Sequence, residues 1–309
     1  MVERLGERGA GLTLITLASL TWGTIGVAVS LLYGVAATNP FSVGLLRLLI
    51  AAPALLLMSR ALLGADFLRV ERRHLPAMAL IGAAFAGYQL CYFAAIPRLG
   101  VAAAVMINIC SAPIFTAVLA SLFLRERLEP ATLLALVGAV AGTAMLVGGA
   151  PQASGAALWS GTALALGAGL CYSLVALGGK LVAPFYHPLQ PITIAFTLGA
   201  LLLLPPALAG GLVLSYPPAG WMLLLYLGLV PTALAYGLYL RGLGLVPATV
   251  AATVTLLEPL GSTLLAVLLL GERLAPLGIA GAALLLASMA LLYRGQGPER
   301  RQAQPASGD

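Results

Sequence analysis

The sequence predicts an all-α membrane protein of ten transmembrane helices in two inverted five-helix repeats, and three observations lead there. Composition is the first: 61% of the 309 residues are hydrophobic, 8% are charged and the mean hydropathy is +1.03. Ordinary globular chains carry roughly a quarter charged residues, and no soluble core hides this much apolar surface. An internal repeat is the second. At a constant offset, Ala102, Pro113, Leu119, Glu126, Arg127, Leu128 and Pro130 fall on Ala248, Pro259, Leu265, Glu272, Arg273, Leu274 and Pro276. Such self-similarity decides architecture before local detail does. Charge asymmetry along the chain is the third, and it fixes orientation.

A charged lead (Glu3, Arg4, Glu7, Arg8) precedes an apolar run from Gly11 to Tyr33. That run is too long for a signal-peptide core and has no convincing cleavage site, so it predicts an uncleaved span. Nine more runs of about spanning length, roughly 20 residues, follow: Phe41 to Leu63, His74 to Ile96, Gly100 to Leu124, Pro130 to Gly148, Gly155 to Gly179, Gln190 to Val213, Pro218 to Leu240, Leu245 to Leu270 and Pro276 to Tyr293. Their length and pattern suit helices rather than barrel strands, because lipid offers no partner to an open backbone. The connector Gly149 to Ser154 divides a first repeat, residues 11–148, from a second, residues 155–293, and a polar tail, residues 294–309, is expected to be disordered.

Ten spans put both termini on one side. With that side cytoplasmic, the inner face collects Arg4, Arg8, Arg60, Arg69, Arg72, Arg73, Arg125, Arg127, Lys180, Arg241, Arg294, Arg300 and Arg301, whereas the outer face has Arg98 and Arg273 and a span holds Arg47. This is the positive-inside pattern of a bacterial inner-membrane protein with cytoplasmic N- and C-termini. An odd helix count per half makes the repeat inverted, an arrangement that lets two halves rock about a central site.

Several of these features resemble a family. Trp22-Gly23 in the first span, Arg47 within the run Leu45 to Ala51, the helices of Pro113 and Glu258-Pro259, and the Leu-x-Glu-Arg-Leu ends at Glu126 and Glu272 are similar to EamA-type members of the drug/metabolite transporter superfamily. The resemblance spans residues 11 to 293. It implies a ten-helix bundle, a central substrate cavity, and export or exchange of small metabolites such as amino acids. Tyr172 stands at the aromatic position that Trp22 takes in the first half.

An ionisable group within a span costs about 2.5–3.5 kcal/mol on insertion scales, so it marks a cavity or a partner. Glu258 is expected near the middle of its helix, as a substrate-ammonium or proton-coupling site; the alternative is a neutral acid bonded to carbonyls at a Pro259 bend. Arg47 reads either as a snorkelling or helix-tying residue or as a partner for a substrate carboxylate or Glu258. Tyr88, Gln89 and Tyr92 in the third span, and Asn108 and Ser111 at i, i+3 in the fourth, are candidate cavity-lining residues. Trp22, Tyr172 and Tyr236 join them as weaker cases, with Thr21, Thr24, Ser173 and Tyr239 beside them. Trp159, Trp221, Tyr33 and Tyr293 read as interfacial belt residues. Glu126 and Glu272, each four residues before a proline, read as carboxylates favouring the start of the helix that follows. Gly138 and Gly142 form a GxxxG face, for packing within a monomer or for a homodimer.

Other functions lack their residues. Cys91, Cys110 and Cys171 show no metal spacing, His74 and His187 lie in polar joints, and no P-loop, GxSxG or HExxH occurs, so no cofactor, metal or enzymatic reaction is expected. No basic stripe beyond the inner-face set suggests nucleic acid. The expected function is secondary active transport of amino acids or related amphipathic metabolites across the cytoplasmic membrane, by alternating access, in the export direction and with protons as the candidate coupling ion. An uncoupled facilitator, an exchanger or an importer is the alternative.

Overall fold

The computed structural model describes residues 2–124, 130–148, 155–246, 250–251 and 254–295. Within them the chain is helical, with no strand. In order the helices are α1 (Val2–Gly23), α2 (Ile25–Val35), α3 (Pro40–Leu63), α4 (Leu75–Leu99), α5 (Val101–Leu124), α6 (Pro130–Gly148), α7 (Gly155–Val182), α8 (Leu189–Ala209), α9 (Pro218–Gly228), α10 (Ala235–Leu243), α11 (Leu257–Leu270) and α12 (Pro276–Gly295). Seven helical stretches among the described residues are long and apolar enough to cross a membrane: Gly9–Val35, Pro40–Leu63, Arg72–Leu99, Val101–Leu119, Gly155–Val182, Leu189–Ala209 and Pro218–Leu243. Three shorter apolar helices accompany them, Leu133–Gly148, Leu257–Leu270 and Pro276–Leu291. The predicted connector 149–154, the Glu126 helix stop and the tail from residue 296 lie outside the described residues.

Most helix ends sit where local chemistry puts them. Asn39 caps α3 by accepting the Ser42 N–H at 2.9 Å, and Pro40 fills the first position, where a missing N–H costs nothing. Gly64 (φ 84°) and Gly100 (φ 82°) close α3 and α4 in left-handed backbone that glycine adopts without strain.

Three spans that the apolar pattern reads as continuous are interrupted. The first is helical from Val2 and breaks at Thr24 between α1 and α2. The eighth passes through a π-helical segment, Leu229–Leu234, between α9 and α10. The ninth breaks at Thr255 and Leu256. Prolines explain the last two: Pro231 and Pro259 have no N–H to give the carbonyls four residues back, those of Leu227 and Thr255. Each freed carbonyl finds a nearby donor instead. The Thr232 hydroxyl donates to the Leu227 carbonyl at 2.7 Å, and the Glu258 N–H donates to the Thr255 carbonyl at 3.0 Å.

Helices from before residue 148 pack on helices from after residue 155: α4 and α5 on α7, α3 on α8, α1 on α10 and α11, and α6 on α12. Small residues allow the approach, as close van der Waals packing in lipid requires. Gly11 and Gly242 face one another where α1 meets α10, since a Cβ on Gly242 would lie 2.9 Å from the Gly11 carbonyl. The GxxxG of α6 is used in the same way: a Cβ on Gly138 would meet the Ser288 hydroxyl, and one on Gly142 would lie 2.8 Å from the Gly281 carbonyl of α12. Phe93, Phe196, Leu45 and Leu48 fill the interior, while Leu57, Leu122, Val137, Met222, Leu268 and Trp159 stand exposed around the outside. So much outward apolar surface is what a bilayer covers.

The glycine contacts make a prediction. Gly142→Leu should overpack the α6–α12 crossing by about 1–3 kcal/mol and lower the thermal midpoint in detergent. Gly34→Leu, where a Cβ meets nothing within 4 Å, should leave it unchanged.

Candidate functional site

Arg47 is the most constrained polar residue of the bundle. It sits about two turns into α3, 3% exposed, and does not snorkel. Its Nε donates to the Thr232 hydroxyl at 3.1 Å, its Nη1 donates to Gln89 Oε1 at 2.9 Å, and its guanidinium lies 5.7 Å from the Phe93 ring centroid. The π segment aims Thr232 at it. That hydroxyl therefore accepts from Arg47 while donating to the carbonyl that Pro231 leaves open. Three elements, α3, α4 and the π segment, are locked by one cation.

Glu258 does not stand mid-helix as the apolar run suggests. The break at Thr255 and Leu256, imposed by Pro259, puts it in the first turn of α11, where a carboxylate is favoured by the helix dipole. Gly23 lies against this turn: a Cβ there would come within 3.0 Å of the Glu258 carbonyl and 3.2 Å of the Ser262 N–H. The break of the first span thus crosses the break of the ninth. Arg47 and Glu258 lie within each other's electrostatic reach, yet no ion pair joins them among the described residues. The Glu258 carboxylate likewise has no hydrogen-bond partner there. Tyr88, Tyr92, Tyr172, Tyr236 and Cys110 share its field.

Aromatic rings connect the halves around these charges. Trp22 packs between Tyr236 and Tyr239, with centroids 5.3 and 5.2 Å away. Tyr236 meets Phe196 edge-on at 5.6 Å, Phe196 meets Phe85 at 4.4 Å, and Phe85 meets Tyr88 at 5.6 Å. Tyr88 then contacts both Tyr92, stacked at 5.7 Å, and Tyr172 at 5.6 Å. Tyr172 keeps 38% of its surface exposed, and Glu258 is half-buried.

Several polar groups on the same helices have no partners. Gln89 Nε2, both amide atoms of Asn108 and the Ser262 hydroxyl are buried with no hydrogen bond among the described residues. The Tyr88 hydroxyl neighbours Asn108 without reaching bonding geometry. An unmet buried polar group costs about 1–3 kcal/mol, and such groups gather where something else is bound. Ser111 is placed differently: its hydroxyl donates to the Asn108 carbonyl at 3.1 Å and packs on Gly169 of α7. The structure therefore gathers Glu258, Arg47, Trp22, Tyr88, Gln89, Tyr92, Asn108, Tyr172 and Tyr236 and turns Ser111 to a helix contact. Thr232, Ser262, Phe93 and Phe196 join the set without a sequence signal, since single threonines, serines and phenylalanines in apolar runs announce nothing. The one legible clue is Pro231, which marks the carbonyl that Thr232 serves.

Glu272 corrects another reading. Its carboxylate does not serve α12, the helix that follows, but the first turn of α5 in the other half, accepting the Val101 N–H at 2.6 Å and the Ala102 N–H at 2.9 Å. The turn at Gly271 (φ 68°) directs the chain there. Among the belt residues, Trp159 is exposed as expected, whereas Tyr33 donates to the Phe93 carbonyl at 3.1 Å.

The family model described as EamA-like transporter matches residues 9–148 and again 159–294. An uncharacterised transporter of Bacillus subtilis, YwfM, is 31% identical over 95% of this chain and 96% of its own length. A protein of Streptantibioticus cattleyicolor named as a probable terminal-alkyne amino-acid exporter is 30% identical over 88% of each chain. A solved crystal structure superposes with a TM-score of 0.65 at 20% identity, covering 93% of this chain and 99% of that one, which shows a shared fold.

A double-mutant cycle checks the coupling of the two charges. Arg47→Gln and Glu258→Gln should each lower the thermal midpoint, and the double variant should lose less than the sum of the two by at least about 0.5 kcal/mol. Strict additivity would mean that the two charges do not sense one another.

Proposed function

The chain belongs to the EamA-like transporter family, and on that premise we propose that it is a secondary transporter of amino acids or related amphipathic metabolites, exporting them by alternating access about Glu258. It is a multi-pass membrane protein. In this reading the three shorter apolar helices complete ten spans. Residues 11–148 and 155–293 form two inverted five-helix repeats, and both termini lie on the cytoplasmic side of a bacterial inner membrane. The thirteen inner-face cations support that orientation.

One observation carries the functional reading: Glu258 is a half-buried carboxylate in the first turn of a broken helix, with no hydrogen-bond or ion-pair partner among the described residues, on helices joined by a chain of aromatic rings. A carboxylate without a fixed partner can take up a substrate ammonium or a proton in turn, which is the exchange that coupling needs. Arg47 is held too firmly by Thr232 and Gln89 to leave its place, so its role is to set the local field and orient the Gln89 amide. The rings of Trp22, Tyr88, Tyr92, Tyr172 and Tyr236 offer an amphipathic side chain a wall, at about 0.5–1.5 kcal/mol per aromatic contact. The unmet amides of Gln89 and Asn108 offer hydrogen bonds to a substrate's polar end. The relative named as an amino-acid exporter supports this substrate class.

Proteoliposome flux across a panel of amino acids, with and without a pH gradient, tests the proposal. Wild type should show gradient-dependent flux, and Glu258→Gln should lose it by at least about tenfold while remaining monodisperse. Equal, gradient-insensitive flux in both would make this a facilitator with a structural Glu258. No flux of any amino acid would overturn the substrate class.

A further inference from the structure

The Glu272 carboxylate ties the two halves together, and it does so between two of the helices that carry the site. It extends from the chain just after α11, whose first turn holds Glu258, and it grips the first turn of α5, which carries Asn108 and Cys110. The N–H groups of a first helical turn have no carbonyl of their own helix to meet, and the helix dipole favours an anion there. Both carboxylate oxygens are used, one for Val101 and one for Ala102, so the contact is two charge-assisted hydrogen bonds. The surrounding backbone is shaped to it. Gly100 (φ 82°) lies so close that a Cβ would stand 2.9 Å from Glu272 Oε1, and the Glu272 N–H is itself anchored on the Ala266 carbonyl at 3.2 Å. Arg98, nearby in sequence, turns to the Ala94 carbonyl instead, and no cation pairs with Glu272 among the described residues.

We propose that Glu272 is the clasp that holds the outer face of the transporter closed, a positioning residue that controls when the Glu258 site opens to the outside. The proposal rests on the alternating-access reading above. Opening outward requires α5 and α11 to part at this end, and the two bonds of Glu272 must then be given up together. The other bonds between the halves at this face among the described residues, Thr38 to Tyr216 at 2.6 Å, Asn39 to the Gly211 carbonyl at 2.9 Å and the Val213 N–H to the Ser42 hydroxyl at 2.9 Å, are neutral. Glu272 therefore sets the ease of opening, while Glu258 and the aromatic rings set what is carried.

Cys110 provides a reporter, because it is buried on α5 within the field of Glu258. In a Cys91→Ser, Cys171→Ser background, right-side-out membrane vesicles are treated with a membrane-impermeant maleimide and the labelling rate of Cys110 is measured. Glu272→Gln should raise that rate about tenfold. Gly100→Ala, which pushes a methyl group into the carboxylate, should raise it too, and Glu272→Asp, which keeps the charge but not the reach, should fall between. In inside-out vesicles the rate should not rise. Should Glu272→Gln not be recovered folded, the other two variants carry the comparison. Rates within twofold of the parent in all folded variants, or a rise from both faces alike, would overturn the clasp. Labelling needs no substrate, so a flux assay that finds no transported amino acid would remove the substrate assignment and leave this comparison standing.

Discussion

The constraint on which the centre of this molecule depends is that every backbone carbonyl and N–H in apolar surroundings must find a partner within the protein. Three spans violate the regular helical ladder, at Thr24, at Leu229–Leu234 and at Thr255 and Leu256, and each violation is repaired locally. Thr24 turns its hydroxyl to the Thr21 carbonyl at 2.6 Å and meets the Tyr226 hydroxyl at 2.7 Å. Thr232 serves the Leu227 carbonyl, and the Glu258 N–H serves Thr255. The repairs also converge. Gly23 abuts the turn of Glu258, Trp22 packs on Tyr236, and Thr232 holds Arg47. The site is the place where the helices stop being regular.

The two buried charges are best understood through what they do not do. A close ion pair between Arg47 and Glu258 would satisfy both and leave neither available, and its desolvation cost would offset much of its attraction. Here the cation is met by neutral acceptors, the Thr232 hydroxyl and the Gln89 amide oxygen, with Phe93 alongside. Those bonds fix two of the guanidinium's nitrogens without neutralising its charge. The anion is left at the start of a helix with the field of that charge upon it but no hydrogen bond or ion pair among the described residues. A group in this state can change its partner or its proton without unlocking the bundle, because the lock is on Arg47.

Much of this was legible from residue types and spacing. Apolar run length located most helices but not the breaks in the first, eighth and ninth runs, and the repeat marked α5 and α11 as related. Polar residues in spans pointed to Arg47, Gln89, Asn108 and Glu258, which the fold brings together. Packing decided the rest. No periodicity distinguishes Thr232 from any other threonine in an apolar run, and its role exists only because Pro231 bends its neighbour's carbonyl free and Arg47 lies opposite. Ser111 reads like Asn108 from its spacing, yet Gly169 of α7 closes over it. Glu272 looks like the opening of the next helix because Pro276 follows in sequence. Its true partner is the N-terminus of α5, some 170 positions earlier in the chain.

The repeat makes the two faces of such a machine chemically unequal. In sequence, Glu126 stands to Pro247 and Ala248 as Glu272 stands to Val101 and Ala102. Proline carries no backbone N–H, so where the outer copy has two amide donors to offer a carboxylate, the inner copy has at most one. Glu126, Pro247 and Ala248 lie outside the described residues, and the inequality is one of composition alone. In the proposed alternating access, two halves of equal closing strength would populate both states alike, and one donor fewer in the Glu126 copy would tilt that balance. Export as proposed would gain from that bias, because loading from the cytoplasm would then precede the costlier step of parting Glu272 from α5.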